Sequence, residues 1–329
     1  MGLVVEATRG TLPTGGTPVY IPVTSPQVTP MQTFLRDEAF RGSPTLVYDQ
    51  VQGVRHDEYD AKFYLFADTF GNLVKATLGG TDTVTGSTVY THNIKLLNNA
   101  ATGSQPQSYS IFDFDGANQF VMTGAQADSL NITFGAEAAA DATVKFMANP
   151  YTSYTSAPAP FTALSLSTEH LIPAWDTVIT VSGINSGATL TYIATGELML
   201  ARKTAPIFTM GTQAPLVNFA GPLEVTGKFT AIVNTNADAW STGNTAEALT
   251  RSPQAMTITM TDPNDLTSAT PHSISFTLTQ VQFHDVKRTR GKEYTEVEVS
   301  FTANANATDA TTGYSPIQAT IVNAVSAPY

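Results

Sequence analysis

The 329-residue chain is long enough for two domains of ordinary size. Charged residues make up only 13 % and no stretch approaches 18 consecutive apolar positions, which excludes the highly charged disordered class and a helical membrane span. The absence of cysteine excludes disulfides, thiolate zinc sites and cysteine nucleophiles. The formal net charge of −11 argues against a protein that binds nucleic acid by neutralising phosphates, although taken alone it favours the simpler explanation that the acidity serves solubility.

The first 32 residues are rich in proline, threonine and glycine and show little apolar periodicity. Such a segment cannot bury itself. Residues 1–32 are therefore predicted to be an extended N-terminal arm, either flexible or laid across a neighbouring subunit. No basic region followed by a long apolar core opens the chain, so we expect no secretory signal and synthesis in a reducing cytoplasm.

Residues 33–155 are predicted to form a first β-rich domain. Apolar and polar residues alternate over 59–65, the period of a strand with one buried face. Asp68 is placed as the N-cap of a short helix that begins at Phe70 and closes at Gly79. After a glycine- and threonine-rich loop near 79–88, further strands are predicted near 109–114, 130–134 and 143–147.

A proline- and alanine-containing connector is predicted at 156–176, followed by a second domain at 177–329. Asp238 could cap a second short helix towards Leu249. Strands are predicted near 178–181, 190–193, 273–279, 296–302 and 317–325, the last able to pair with either domain.

Three short blocks of the first domain recur in the same order in the second. Residues 58–63 and 224–229 share the pattern Glu, apolar, polar, small, Lys, Phe. The other echoed pairs are 106–111 with 253–258, and 135–137 plus 144–146 with 291–293 plus 299–301. The shared order predicts two tandem copies of one module.

Several segments of the chain resemble the major tail tube proteins of phages with long, non-contractile tails. They are residues 40–42, 49–55, 220–227, 290–294 and 312–317, which are turns and strand edges spread over nearly the whole chain. The resemblance implies a mainly β fold of two tandem tail-tube-like β-sandwich or barrel domains, each with a short flanking α-helix. It implies a structural protein of the virion tail, synthesised in the host cytoplasm, and no enzymatic activity.

The resemblance also implies an assembly. Six tube domains close a ring around the DNA channel, so two domains per chain imply a trimeric ring with pseudo-sixfold symmetry, whereas one tube domain plus an appendage would imply a hexamer. The three echoed blocks favour the trimer. The implied partners are further copies of the chain, a tape-measure protein and tail terminator or tip proteins, while DNA passes through without specific binding and no membrane is involved.

Ring closure would pair exposed sheet edges, and stacking of rings would produce a filament. The proline-rich N-terminus and the segments 36–53 and 203–220 are the candidates for contacts between rings. Polar strand positions of the repeated module are the candidates for the lumen or a subunit interface; they are Glu58, Asp60, Lys62, Glu224, Lys228, Glu296 and Glu298. The alternative is that these residues form an ordinary solvated outer face.

No catalytic, cofactor-binding or metal site is predicted. The five histidines are scattered, with no two at metal-ligand spacing, and residues 221–228 lack the spacing and the hydroxyl residue of a phosphate loop. The alternative functions are a capsid-decoration or tail-tip structural protein, and a carbohydrate-binding adhesin, for which exposed tryptophans are expected to cluster.

Overall fold

A computed structural model describes residues 1–98, 105–163, 167, 169–182, 190, 192–233, 253–267, 269–290 and 293–329. The strands are β1 Gly2–Val5, β2 Val19–Tyr20, β3 Ser25–Asp37, β4 Asp49–Tyr64, β5 Gly79–Gly86, β6 Tyr90–Leu96, β7 Tyr109–Phe114, β8 Gln119–Gly135, β9 Asp141–Ala148, β10 Thr152–Tyr154, β11 Thr177–Val181, β12 Ile193–Ala201, β13 Ala205–Ile207, β14 Val217–Phe219, β15 Glu224–Val233, β16 Gln254–Thr267, β17 Thr270–Thr289, β18 Thr295–Ala303 and β19 Gln318–Asn323. Helix α1 is Phe70–Leu78, and Ala174–Asp176 is a 3₁₀ turn. The mainly β prediction is confirmed.

Helix α1 lies where the sequence predicts it, but Thr69 and not Asp68 is its N-cap, with no side-chain capping bond. Gly79 ends the helix in the left-handed conformation, at φ 75°. Leu73 and Val74 are fully buried, and burial of such a side chain stabilises the fold by about 1.5–3 kcal/mol. The second predicted helix, from Asp238 towards Leu249, lies outside the described residues. No helix within the described residues is long and apolar enough to cross a membrane.

Residues 79–86 form strand β5 and not the predicted loop. β5 pairs antiparallel with β6, with a register shift between Gly79 and Asp82. A Cβ at Gly80 would collide with the carbonyl oxygen of Lys95, so the glycine allows the two backbones to approach closely. The glycines that suggested a loop serve this close strand contact instead.

The N-terminal segment is largely built into the fold and is not a free arm. β1 pairs with β2 and β7, and β3 pairs with β4. Glu6 is 5 % exposed and accepts hydrogen bonds from the hydroxyl groups of Ser108 and Ser110 at 2.6 and 2.7 Å. Prolines 26 and 30, which suggested an arm, lie in the edge strand β3, where a missing backbone donor is tolerated.

Eight strand segments form one continuous antiparallel sheet, here called the main sheet. Its order is β3, β4, β9, the C-terminal part of β8, β12, β15, β18 and the C-terminal part of β17. β8 and β17 bend out of it, and their N-terminal parts join a second layer with β7, β10, β16 and β19. The main apolar core, packed with α1, lies behind the main sheet and continues through both halves of the chain.

The same path of strands occurs twice. β4, β9, β8 and β7 are successive neighbours in the first half, and β15, β18, β17 and β16 follow the same path in the second. A register shift interrupts β8 between Ala127 and Ser129, and β17 between Phe283 and Asp285. The same topology with the same irregularity favours a duplicated module; the domain boundaries themselves stay a prediction.

The echoed block 144–146 and 299–301 occupies equivalent positions in the two copies. The block 58–63 and 224–229 is displaced by two residues. Phe146 and Phe301 pair with equivalent positions beside the shifts in β8 and β17, as the echo predicts. On the neighbouring strands, Tyr59 pairs with Phe146 and Gly227 pairs with Phe301. Gly227 therefore occupies the position of Tyr59, which the echo had given to Val225. A slip of two residues keeps each side chain on its face of the sheet, so the echo still places the core correctly.

Candidate assembly interface

One face of the main sheet is polar. Along β4, Tyr59, Ala61 and Phe63 point into the core, and the residues between them point the other way. The strand registers extend this alternation across all eight segments. The charged residues on this polar face are Glu58, Asp60, Lys62, Asp141, Lys145, Glu197, Glu224, Lys228, Asp285, Lys287, Glu296 and Glu298. Eight of these residues are carboxylates and four are lysines, so the face is acidic.

All seven residues singled out from the sequence lie on the polar face, although they come from three strands. Glu58 forms an ion pair with Lys145 at 2.8 Å, and Lys62 with Asp141 at 2.9 Å. Both partners lie on the adjacent strand β9, as expected for residues too far apart along one strand to pair with each other.

The equivalent residues of the second half are paired in a similar way. Lys228 lies 3.1 Å from Glu197 on the adjacent strand β12, and Glu224 lies 2.8 Å from Lys203. Glu298 is the register partner of Lys287 on β17. The lysines of the polar face thus stand beside carboxylates, and the excess of acidic groups is distributed over the whole sheet.

Burial and neighbouring charge modify the acidity of this face. Partial burial raises the pKa of Asp60, and the negative charges of Glu58 and Asp128 act in the same direction, whereas Lys145 opposes them. The hydrogen bond with Glu58 raises the pKa of Lys145, which keeps that lysine positively charged.

The main sheet ends in two strands that are unpaired on one side within the described chain. β3 pairs only with β4, and the part of β17 after Val281 pairs only with β18. Most of β3 is solvent-exposed, including Phe34 and Leu35 at 56 and 64 %. Long exposed strand edges are available for pairing with another chain.

Two hairpins project from the same end of the main sheet. The β3–β4 hairpin covers residues 36–53, and the segment between β12 and β15 forms the small β13–β14 hairpin within 203–220. The base of the β3–β4 hairpin contacts the turn of the β13–β14 hairpin, where the Arg55 amide donates to the carbonyl of Gln213 at 2.9 Å and His56 packs on Phe208. The structure therefore brings together two of the three segments that the sequence suggested for contacts between rings.

Both hairpins expose large apolar side chains. Phe40 and Leu46 are 86 and 70 % exposed, and Met210 and Leu216 are fully and 67 % exposed. Solvated turns rarely carry so many apolar residues together, and such patches mark protein interaction sites.

Sequence reasoning missed the two edges of the main sheet. The prolines of β3 were a usable signal, because proline inside a strand indicates an edge. No comparable signal marked residues 282–289, since the whole of β17 alternates like a central strand. Of the two tryptophans that an adhesin would be expected to cluster, Trp175 is 64 % exposed and Trp240 lies outside the described residues.

Comparison with known proteins gave one result that covers most of the chain. A family model described as phage tail tube protein matches residues 1–305. No curated protein matches the chain.

Proposed function

The chain belongs to the phage tail tube protein family and is a structural component of the virion tail, and from this we propose that it closes into trimeric rings that stack into the tube. The resemblance found in the sequence is confirmed at the level of the family. The trimer, the stacking and the passage of DNA are the proposal, and the contact between β8 and β12 is the observation that carries it.

That contact joins the two copies of the repeated module inside one chain. The C-terminal part of β8, in the first copy, pairs antiparallel with β12, in the second. The equivalent of β8 in the second copy is β17, and the equivalent of β12 in the first copy is β3. Those two are the open edges of the main sheet. The open edges of β3 and β17 are therefore the equivalents of the two strand edges that already pair in the β8–β12 contact.

The central contact also supplies the register for closure. Met199 on β12 faces Asn131 on β8. In the repeated strand path, Thr29 on β3 occupies the position of Met199, and Lys287 on β17 occupies the position of Asn131. We expect Thr29 of one chain to face Lys287 of the next, and three copies of the main sheet to close a barrel of pseudo-sixfold symmetry.

In this ring the core and α1 lie outside, and the polar face lines the channel. An excess of carboxylates repels the DNA phosphates, so DNA passes without specific binding. The seven polar residues predicted from the sequence are lumen residues in this arrangement. The protein performs no chemistry; it acts as a rigid, charged conduit.

The apolar hairpins at one end of the sheet are proposed to contact the next ring. Burial of each large side chain there would contribute about 1.5–3 kcal/mol to stacking. Further partners are proposed to be the tape-measure protein in the lumen and terminator or tip proteins at the tube ends. A stack of rings leaves its inner wall and its two end faces available for contact with these proteins.

Engineered disulfides test the proposed closure, because the chain has no cysteine of its own. The double variant Thr29→Cys with Lys287→Cys is expected to form interchain disulfides up to covalent trimers when assembled under oxidising conditions. Facing residues of antiparallel strands have the Cα separation that a disulfide requires. Within one chain the two positions lie across eight strand segments, roughly 30 Å apart, which prevents an internal bond.

The matched control is Gln27→Cys with Asp285→Cys, on the same two strands but four residues out of register, which is expected not to cross-link. Non-reducing gel electrophoresis and electron microscopy are the readouts. Tubes that form without cross-links in the first variant would contradict the register, and the absence of rings and tubes for the unmodified chain would contradict the function.

A further inference from the structure

Far from the polar face, carboxylate and imidazole groups from two parts of the chain lie together. Glu169 and His170 belong to the segment before β11, and Asp262, Asp265 and His272 belong to the β16–β17 hairpin. Glu169, Asp265 and His272 each place one potential ligand atom within 4.8 Å of the other two, and His170, Asp262 and Asp265 do the same. The two groups share Asp265.

His272 is buried with one ring nitrogen unsatisfied. The residue is 4 % exposed, and its Nε2 lies 2.7 Å from the hydroxyl of Thr267. Its Nδ1 lies 3.1 Å from the Glu169 carboxylate but is not aligned with it for a hydrogen bond, and no other group satisfies it. When Nε2 donates its proton to Thr267, Nδ1 presents a lone pair towards the two carboxylates, which is the arrangement of a metal-binding histidine held by an outer partner.

Two of the three carboxylates likewise keep an oxygen without a partner, whereas Asp265 accepts hydrogen bonds from the backbone amide and the ring of His170. Asp262 is 1 % exposed and its Oδ2 has no hydrogen bond, and the same is true of the buried Oε2 of Glu169. Among the residues that the structure describes, no lysine or arginine forms an ion pair with either one. Buried polar atoms without partners are rare in folded proteins, and a bound ion is one of the ordinary explanations.

The side chain of Glu169 is only 13 % exposed, and it lies with Asp262 and Asp265 in a partly dry environment. A cation at this place would remove the cost of gathering these carboxylates there.

We propose that Glu169, Asp265 and His272 bind a divalent cation of the zinc type, with His170 and Asp262 beside it. Mixed imidazole and carboxylate ligands suit Zn²⁺ better than Ca²⁺ or Mg²⁺, which prefer oxygen ligands alone. Zinc ligands stand at about 2.0–2.2 Å from the ion, and the 3.1 Å between His272 Nδ1 and Glu169 is close to the spacing of two such ligands. The ion would fasten the segment between the two halves of the chain to the β16–β17 hairpin.

Calorimetric titration of the chelator-treated full chain with ZnCl₂ tests the site. We expect one saturable Zn²⁺ site per chain and a melting temperature that rises by several degrees when it is filled. His272→Gln and Asp265→Asn are each expected to weaken binding at least tenfold, whereas Ca²⁺ and Mg²⁺ should not compete. The matched control is His284→Gln, which removes an exposed histidine beside Asp285 and should bind as the unmodified chain does.

Circular dichroism in chelator shows whether the variants fold. X-ray absorption at the zinc edge of the unmodified protein gives an answer that needs no variant, and it should show imidazole nitrogen among the ligands. The proposal is overturned by the absence of saturable binding, by unchanged affinity in a folded His272→Gln variant, by an all-oxygen ligand shell, or by Ca²⁺ binding as tightly as Zn²⁺.

Discussion

At the scale of single residues, a buried ion pair holds the C-terminus against the first half of the chain. His92 and Asp82 are each fully buried at the side chain, with Nδ1 and Oδ2 2.7 Å apart. The other ring nitrogen of His92 lies 2.8 Å from the carbonyl of Val325, and Tyr329 stacks on the ring. Since both ring nitrogens face acceptors, the charged imidazolium fits this place best.

The pKa of His92 reflects this environment. Burial alone would lower it, but the hydrogen bond and negative charge of Asp82, with the carbonyl of Val325, raise it above its ordinary value near 6.5. Lys75 also interacts with the negative charge of Asp82. A raised histidine pKa contributes stability that is fully present below pH 6.5 and is lost as the pH rises through the folded-state pKa.

We therefore predict that His92→Gln lowers the free energy of unfolding by about 3 kcal/mol below pH 6.5, because it leaves Asp82 buried without its partner. The difference from the unmodified chain should shrink as the pH rises through the pKa of His92. Urea unfolding at a series of pH values measures this. A difference that is independent of pH would show that folding does not raise the pKa of His92. His284→Gln, at an exposed site, should leave the curve unchanged.

Sequence reasoning placed the polar strand residues on one face but missed the cluster of Glu169, Asp265 and His272, and both outcomes have the same physical reason. Alternation with period two is a local property of a strand, so Glu58, Asp60 and Lys62 were assigned to one face without knowledge of their neighbours. Glu169 and His272 lie more than a hundred residues apart, and their meeting depends on how the β16–β17 hairpin packs. Spacing along the chain carries no information about such a contact.

At the scale of elements, the two projecting hairpins give the clearest test of stacking. We predict that Phe40→Ser, Leu46→Ser, Met210→Ser and Leu216→Ser together leave rings intact but raise the critical concentration for tube growth by at least about tenfold, because each lost burial is worth about 1.5–3 kcal/mol. Sedimentation and electron microscopy measure growth.

Phe114→Ser serves as the control for that experiment. Phe114 is 56 % exposed, like the hairpin residues, but it ends β7 outside both hairpins. Its replacement should leave tube growth unchanged. Growth of the hairpin variant at the normal concentration would show that stacking uses another surface.

Strands and helix α1 could largely be predicted, because apolar periodicity, a terminal glycine and β-branched residues act locally. Two elements show where these local signals fail. β5 was mistaken for a loop because its glycines serve a close approach to β6 that only the fold reveals, and β3 was mistaken for an arm because its prolines were judged without the sheet beside them. In both cases a tertiary contact overrode the local signal.

At the scale of the whole molecule, the excess of carboxylates on the polar face predicts the behaviour of DNA in the channel. Thr143, Thr226 and Ser300 lie on that face without charge. Replacing all three with lysine would raise four lysines to seven against eight carboxylates. We predict that virions built with this variant release DNA more slowly at low ionic strength, and that the difference shrinks as salt is added.

Fluorescence imaging of DNA release from single particles measures the rate, and glutamine at the same three positions is the control for size. Equal rates for the lysine and glutamine variants would show that the face does not line the channel.

The connectivity of the main sheet could not have been predicted from the sequence, because the repeat predicts two similar modules but not which strands join them.

The covalent link between the two modules has a kinetic consequence. In the proposed ring of three chains, every second seam between modules is the β8–β12 contact, which forms within one polypeptide and is independent of protein concentration. Only two encounters between molecules are then needed to bring three chains together, where six separate modules would need five, and each encounter carries its own loss of translational entropy. A chain that carries two linked modules would thus begin a tube from dilute solution more readily than separate single modules.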